Sequence, residues 1–185
     1  MEKLKVAVVG TGHLGKEHAR IYSEMSDVSL VGVVDTDKDA GEAVAGRCKT
    51  RYYSSIKEIL NKVDVASVVV PTKSHYEITK ACLLNNKHVL VEKPLTTTVN
   101  ESEELVKLAE EKNLKLMVGH TFLYNPSIRK MKEYLSDDNI GSIYYLKATR
   151  THLGLIRQDV NAIWDLAPHD ISIFSFLLDA QPLWV

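Results

Sequence analysis

The sequence predicts an α/β fold, a doubly wound open parallel sheet over residues 1–120 followed by the start of an α+β substrate and oligomerisation domain over residues 121–185. Three observations predict it. Short Val-rich runs alternate with helical patterns, the first run breaks into a glycine turn that opens a helix, and the rhythm changes beyond Gly119. Continuous apolar runs, without polar alternation, suit strands buried on both faces, and that is what a parallel sheet requires.

The strand candidates are KVAVVG (5–10), VSLVGVVD (28–35), VDVASVVV (63–70), KHVLVE (87–92) and LKLMVG (114–119). Between them lie helices. Ser74 is a candidate N-cap ahead of Ile78, Ala81, Cys82 and Asn85 at helical spacing, and Asn100 with Glu103 forms a capping-box pattern ahead of Leu105, Val106, Leu108 and Ala109. In the second part, a helix from Pro126 to Leu135 precedes a long strand candidate, SIYYLKATRTHLG, a polar loop and an apolar helix from about Asp165 to Leu178. A lone strand is not stable, so it is expected either to join the first domain or to belong to a larger sheet that the sequence does not contain. There is no repeat, low-complexity tract or Pro/Gly-rich linker.

Composition narrows the function. With 185 residues, 45% apolar and 25% charged, and a net charge of −1, the chain is globular, and the balance argues against a nucleic-acid partner. The densest basic group, RKMK at Arg129–Lys132, reads as a solvated helix face. Cys48 and Cys82 match no metal-ligand spacing, so no metal site is expected, and reduced thiols suit a cytoplasmic protein. No segment reaches the ~18 apolar residues of a membrane span, and the N-terminal run enters a glycine turn rather than a cleavable apolar region.

GTGHLG fits G-x-G-x-x-G. It follows a strand, opens a helix and is followed by Asp35, 20 residues after Gly15. Gly10 allows the tight turn, Gly12 lets the main chain approach a pyrophosphate and Gly15 lets helix pack on strand, while the helix N-terminus favours an anion. Thr11, His13 and Leu14 complete the turn. Asp35 can accept from adenosine ribose hydroxyls and would repel a 2′ phosphate, which favours NAD over NADP; alternatively it caps the next helix.

Two further edges of the sheet carry candidates. Pro71, Thr72 and His75 follow VVV, where ligands of such sheets gather, although His75 can equally be a helix-start histidine. Glu92, Lys93 and Pro94 end another strand. The residue before proline is held extended, so Lys93 is fixed at the ligand edge, where its ammonium can stabilise a developing alkoxide; the alternative is a surface lysine paired with Glu92. In WDLAPHDIS, Asp165 and His169 stand four apart on one helix face, and Pro168 marks a first turn. A first-turn histidine suits a neutral general base oriented by Asp165, or else Asp165 is an N-cap and His169 a packed ring.

A glycine-rich first turn, then EKP, then GHTFLYNP, then an Asp-x-x-x-His helix together resemble the glucose-fructose oxidoreductase, inositol dehydrogenase and MocA (Gfo/Idh/MocA) family across essentially the whole chain. The resemblance implies a Rossmann domain, NAD as cofactor, and hydride transfer to or from a secondary alcohol of a sugar, cyclitol or nucleotide-linked sugar. It implies catalytic roles for Lys93, Asp165 and His169, and a cis bond before Pro94. It puts Glu92 and Lys93 on the cofactor side, and Tyr124, Asn125 and His169 near nicotinamide and substrate. The stretch RTHLGLIRQDVNAIWDLAPHD looks most like the branch acting on nucleotide-linked hexoses, which adds Arg150, Arg157 and Asn161 on the substrate side. Members of the family continue into a broad antiparallel sheet that supports homo-oligomers. The sequence shows no such pattern, so the chain is expected to be C-terminally incomplete, and a dinucleotide-binding module without catalysis is the alternative.

Overall fold

The computed structural model describes residues 2–136, 141–151 and 160–183. The chain divides into two compact units, Met1–Gly119 and His120–Val185. The first contains β1 (Leu4–Val9), α1 (Gly15–Glu24), β2 (Val28–Val34), α2 (Lys38–Arg47), β3 (Arg51–Tyr53), β4 (Val65–Val68), α3 (His75–Leu84), β5 (His88–Val91), α4 (Val99–Glu111) and β6 (Leu116–Val118). All six strands are parallel, in the order β3-β2-β1-β4-β5-β6. The strand order reverses direction between β1 and β4, which opens a crevice at their carboxyl ends.

Strand pleating sends successive side chains to opposite faces, and both faces are covered. Val8 and Val33 pack against Ala19 of α1 and Val44 and Ala45 of α2, while Ala7, Val9 and Val34 pack against Ile59 and Val63. A third cluster joins Ala66, Val68, Val89 and Val91 to Cys82 and Leu83 of α3 and Leu105 and Ala109 of α4. This explains the continuous apolar runs of the central strands, which are covered on both faces, whereas the edge strand β6 leaves Met117 exposed. Burial also pushes the Cys82 thiol up to about 12, so it is an inert packing group.

The structure moves several predicted boundaries. Ser74 makes no side-chain cap; it closes a 3-10 turn, Thr72–Ser74, that leads into α3. The capping box of α4 is Thr98 with Glu101, each side chain bonding the other's amide, so Asn100 lies inside the first turn. β3 was not among the predicted strands.

The second unit holds a 3-10 turn (Thr121–Tyr124), α5 (Pro126–Ser136) and α6 (Ala162–Leu178). Asn161 caps α6 through a 2.8 Å bond to the Trp164 amide, so the helix begins a turn earlier than expected. Asp165 is therefore not the cap, and Pro168 lies inside the helix rather than opening it, with no N–H to donate to the ladder. The C-terminus of α6 is held by Lys132, whose ammonium donates to the Leu177 carbonyl at 3.1 Å and pairs with Asp179 at 2.6 Å. The long strand expected from Ser142 is not formed over 141–151, because a strand needs a hydrogen-bonding neighbour and this segment has none among the described residues. Its end, and Arg157, lie outside the described residues.

Candidate functional site

The site of the first unit is built at the carboxyl edge of the sheet. β1 runs into Gly10, whose φ of +95° is a conformation L side chains rarely adopt, and a Cβ there would lie 2.3 Å from the Val69 carbonyl oxygen. At Gly15, the first residue of α1, a Cβ would lie 1.9 Å from the Gly10 oxygen, so the turn closes only because both are glycine. Gly12 is different. A Cβ there meets nothing within 4 Å, and its backbone is not in the positive-φ region. The fold itself does not demand glycine at that position, which is what a main chain kept bare for close approach of a phosphate looks like. His13 and Leu14 beside it are exposed, Leu14 by 49%.

Asp35 follows β2, and its carboxylate is already engaged. One oxygen accepts from the Thr11 amide at 2.7 Å and the Thr11 hydroxyl at 2.6 Å, and the other accepts from the Asp37 amide at 2.9 Å. It therefore anchors the glycine turn. Asp37, not Asp35, caps α2, which removes that alternative role for Asp35. Partial burial pushes the Asp35 carboxyl up, but the hydrogen bonds from Thr11, Asp37 and Thr36 outweigh it and hold the group below its ordinary range, ionised and oriented. Each oxygen of a carboxylate has two acceptor positions, so ribose hydroxyls can still be accepted at the Asp37-bound oxygen. The bare Gly12, the helix N-terminus and an ionised acceptor at the end of the second strand fit a dinucleotide.

After β4, Pro71 is exposed and Thr72 buried. His75, expected on the cofactor side, is 1% exposed, and its ring nitrogens lie 2.9 Å from the Pro94 carbonyl oxygen and 2.8 Å from that of Val70. Its ring lies between the β4 loop and the β5 loop, with the N–H of the neutral ring donating to one of the two carbonyls, and it is buried against backbone. The peptide bond between Lys93 and Pro94 is cis, and Lys93 is half-buried at the same sheet edge as Gly10 and Asp35.

Glu92 is more deeply involved than the sequence suggested. Its side chain is 12% exposed, accepts from His18 Nε2 at 3.2 Å and from the Lys93 amide at 3.3 Å. Burial raises its proton affinity, but the hydrogen bond and charge of His18, with the Lys93 amide and ammonium, outweigh that and hold it below the ordinary carboxylate range. His18 and its second partner Ser67 were not foreseen. The available signal was a serine in the middle of VASVVV, a polar residue in a run otherwise buried on both faces.

In the second unit, Asp165 and His169 share a face of α6, as their spacing required. His169 lies beyond the first turn, so the helix-dipole argument for a neutral ring weakens. The Phe122 ring meets it edge-on at 4.8 Å, and Arg150 stacks over Phe122 at 5.1 Å while forking onto Asp170 with two bonds of 2.8 Å. Arg150 thus braces α6, and Asn161 caps it. Tyr124 is exposed with Arg129 over its ring, and Asn125 accepts from the Ser127 amide at the start of α5.

Residues 4–120 match the family model GFO_IDH_MocA, described as an oxidoreductase family with an NAD-binding Rossmann fold. The chain is 33% identical over 184 residues to UDP-N-acetylglucosamine 3-dehydrogenase of Acidithiobacillus ferrooxidans, covering 99% of this chain and 57% of that protein. It is 26% identical over 189 residues to inositol 2-dehydrogenase of Rhizobium meliloti, covering 98% and 57%. Among solved structures it is similar to GenD2 from gentamicin A biosynthesis in complex with NAD, with a TM-score of 0.84 at 28% identity, covering 96% of this chain and 54% of that one. Against the A. ferrooxidans enzyme, GnnA, the TM-score is 0.81 at 30% identity, covering 100% and 59%. The chain therefore spans little more than half the length of these relatives. No helix among the described residues is long and apolar enough to cross a membrane.

Proposed function

The chain belongs to the Gfo/Idh/MocA oxidoreductase family, with its NAD-binding Rossmann fold, and from that membership we propose that the protein is an NAD-dependent dehydrogenase of a secondary alcohol carried by a sugar, a cyclitol or a nucleotide-linked sugar. The observation that carries the reading is the gathering of a bare Gly12, an ionised Asp35 and Lys93 at one edge of one sheet. In the net reaction the alcohol loses a hydride from carbon and a proton from oxygen and becomes a ketone. Bound NAD supplies the hydride acceptor. The α1 N-terminus and the Gly12 main chain would hold the pyrophosphate, and Asp35 would hold the ribose. His169, oriented by Asp165, takes the hydroxyl proton, and the Lys93 ammonium stabilises the alkoxide as it forms; Lys93 and His169 can exchange these roles.

The similarity to UDP-N-acetylglucosamine 3-dehydrogenase supports a nucleotide-linked hexose as substrate, and the similarity to inositol 2-dehydrogenase keeps cyclitols in the same class. Arg157, Tyr124 and Asn125 remain proposed substrate-side residues on the sequence pattern. A homo-oligomer acting in the cytoplasm is part of the same reading. Incubation with NAD and a panel of nucleotide sugars, free sugars and inositols, followed by absorbance of reduced nicotinamide, tests it. Formation of NADH with one class of alcohol is expected; NAD binding without turnover on any of them would favour a cofactor-binding module instead.

A further inference from the structure

We propose that His18 and Ser67 are positioning residues for Lys93, acting through the Glu92 carboxylate; the proposal rests on the dehydrogenase reading above. A carboxylate this little exposed is costly to bury unless its oxygens are met, and four segments converge to meet or accommodate it. α1 supplies His18, whose Nε2 lies 3.2 Å from one oxygen, and β5 runs on into the Lys93 amide, 3.3 Å from the other. β4 supplies Ser67, fully buried, whose hydroxyl lies 3.0 Å from His18 Nδ1. Gly119, just past β6, leaves the room, since a Cβ there would come within 3.0 Å of the carboxylate.

The donor pattern is self-consistent. With Nε2–H donating to Glu92, the other ring nitrogen accepts the Ser67 hydroxyl in the neutral ring or donates to it in the charged one, so every buried polar group is satisfied either way. An imidazole bound on both sides has one orientation, and it fixes the Glu92 carboxylate, which in turn fixes the amide of Lys93 and places an anion beside its ammonium. His18 also sits on the helix whose N-terminus opens from the glycine turn. The cofactor cradle and the lysine loop therefore share one anchor, and a reacting ammonium must be held to a fraction of an ångström.

The test compares His18→Leu, His18→Gln and Glu92→Gln with the wild-type chain in two measurements. The first is the rate of Lys93 acetylation by acetic anhydride, read by peptide mass spectrometry. His18→Gln, whose amide nitrogen takes the place of Nε2, should label like the wild type, while His18→Leu and Glu92→Gln should differ from it by about threefold or more. The second is steady-state kinetics with NAD and the alcohol that turns over. In His18→Leu, kcat should fall about 10–100-fold with the KM for NAD within about twofold, and His18→Gln should recover most of it. Labelling rates that do not separate the two His18 variants overturn the proposal, as does a loss appearing in KM rather than kcat. Labelling needs no turnover, so a chain that oxidises nothing refutes the dehydrogenase reading and still leaves this inference decided.

Discussion

Replacing Asp35 by serine and Thr36 by arginine should invert the choice between NAD and NADP. The Asp35 carboxylate is pre-aimed by bonds of 2.7 and 2.6 Å from Thr11 and 2.9 Å from Asp37, so a ribose hydroxyl meets a fixed, charged acceptor. A charge-assisted hydrogen bond of that kind contributes about 1.5–3 kcal/mol. A 2′ phosphate at ~5 Å would be repelled by about 3 kcal/mol per unit charge at an effective dielectric near 20, reduced further by salt. The two effects are of one size and of one sign in favouring NAD. Either effect alone is worth roughly 10–200-fold at 1.36 kcal/mol per tenfold, so removing both, and adding a cation, should shift the ratio of dissociation constants toward NADP by at least that much. The same change frees the Thr11 donors, so the melting temperature should drop by about 2–8 °C. Fluorescence titration with NADH and NADPH measures the ratio. Thr11→Ala is the control: it keeps the carboxylate and the backbone donor and should leave the preference unchanged. An unaltered ratio in the double variant would show that the ribose is read elsewhere.

The glycines separate fold from ligand. Gly12→Ala should leave the melting temperature nearly unchanged and weaken NAD binding by about tenfold or more, whereas Gly15→Ala, with its Cβ 1.9 Å from the Gly10 oxygen, should destabilise the fold by about 2 kcal/mol or more in urea unfolding. Lys93→Ala and His169→Ala should each lower kcat by ~100-fold or more with NAD binding nearly intact, as stopped-flow and titration will show. Acid should act through Glu92 and Asp35. Both carboxyls ionise more readily folded than unfolded, so their stabilisation is present above the ordinary carboxylate range and is lost as pH falls through and below it. Glu92→Gln should therefore lose less stability than the wild type in melts between about pH 4.5 and 3.

The parallel strands were legible because burial on both faces writes itself as unbroken Val, Ala and Leu. β3 was not, since Arg51–Tyr53 is three residues long with an arginine at its head, and its existence depends on Gly32 to Val34 lying alongside. Helix starts were ambiguous where two capping patterns overlap. Thr98 with Glu101 wins over Asn100 with Glu103 because the extended backbone falls at Thr98. Asn161 likewise takes the start of α6 from Asp165. The segment after Gly141 has a strand's composition, but composition cannot supply the partner that makes a strand. In the site, the glycine turn, Asp35 and Lys93 could be read from spacing, because a phosphate loop and a sheet edge constrain local sequence. The His18–Glu92 pair could not: its members are brought together only by the order of β1, β4 and β5 in the sheet. The two roles left open for His75 could not be separated for the same reason, since the Pro94 carbonyl beside its ring is a tertiary neighbour.

Hydride transfer from the alcohol carbon to nicotinamide can be followed directly by isotope. The protein is incubated with NAD and UDP-N-acetylglucosamine carrying deuterium on carbon 3, and in parallel with inositols deuterated at their ring carbons, and the reduced cofactor is analysed by mass spectrometry. One deuterium in the reduced nicotinamide, with the matching ketone as co-product, is expected for at least one of these alcohols, with loss of that label transfer in Lys93→Ala. Tight NAD binding with no deuterium in the cofactor from any of them would contradict the dehydrogenase reading.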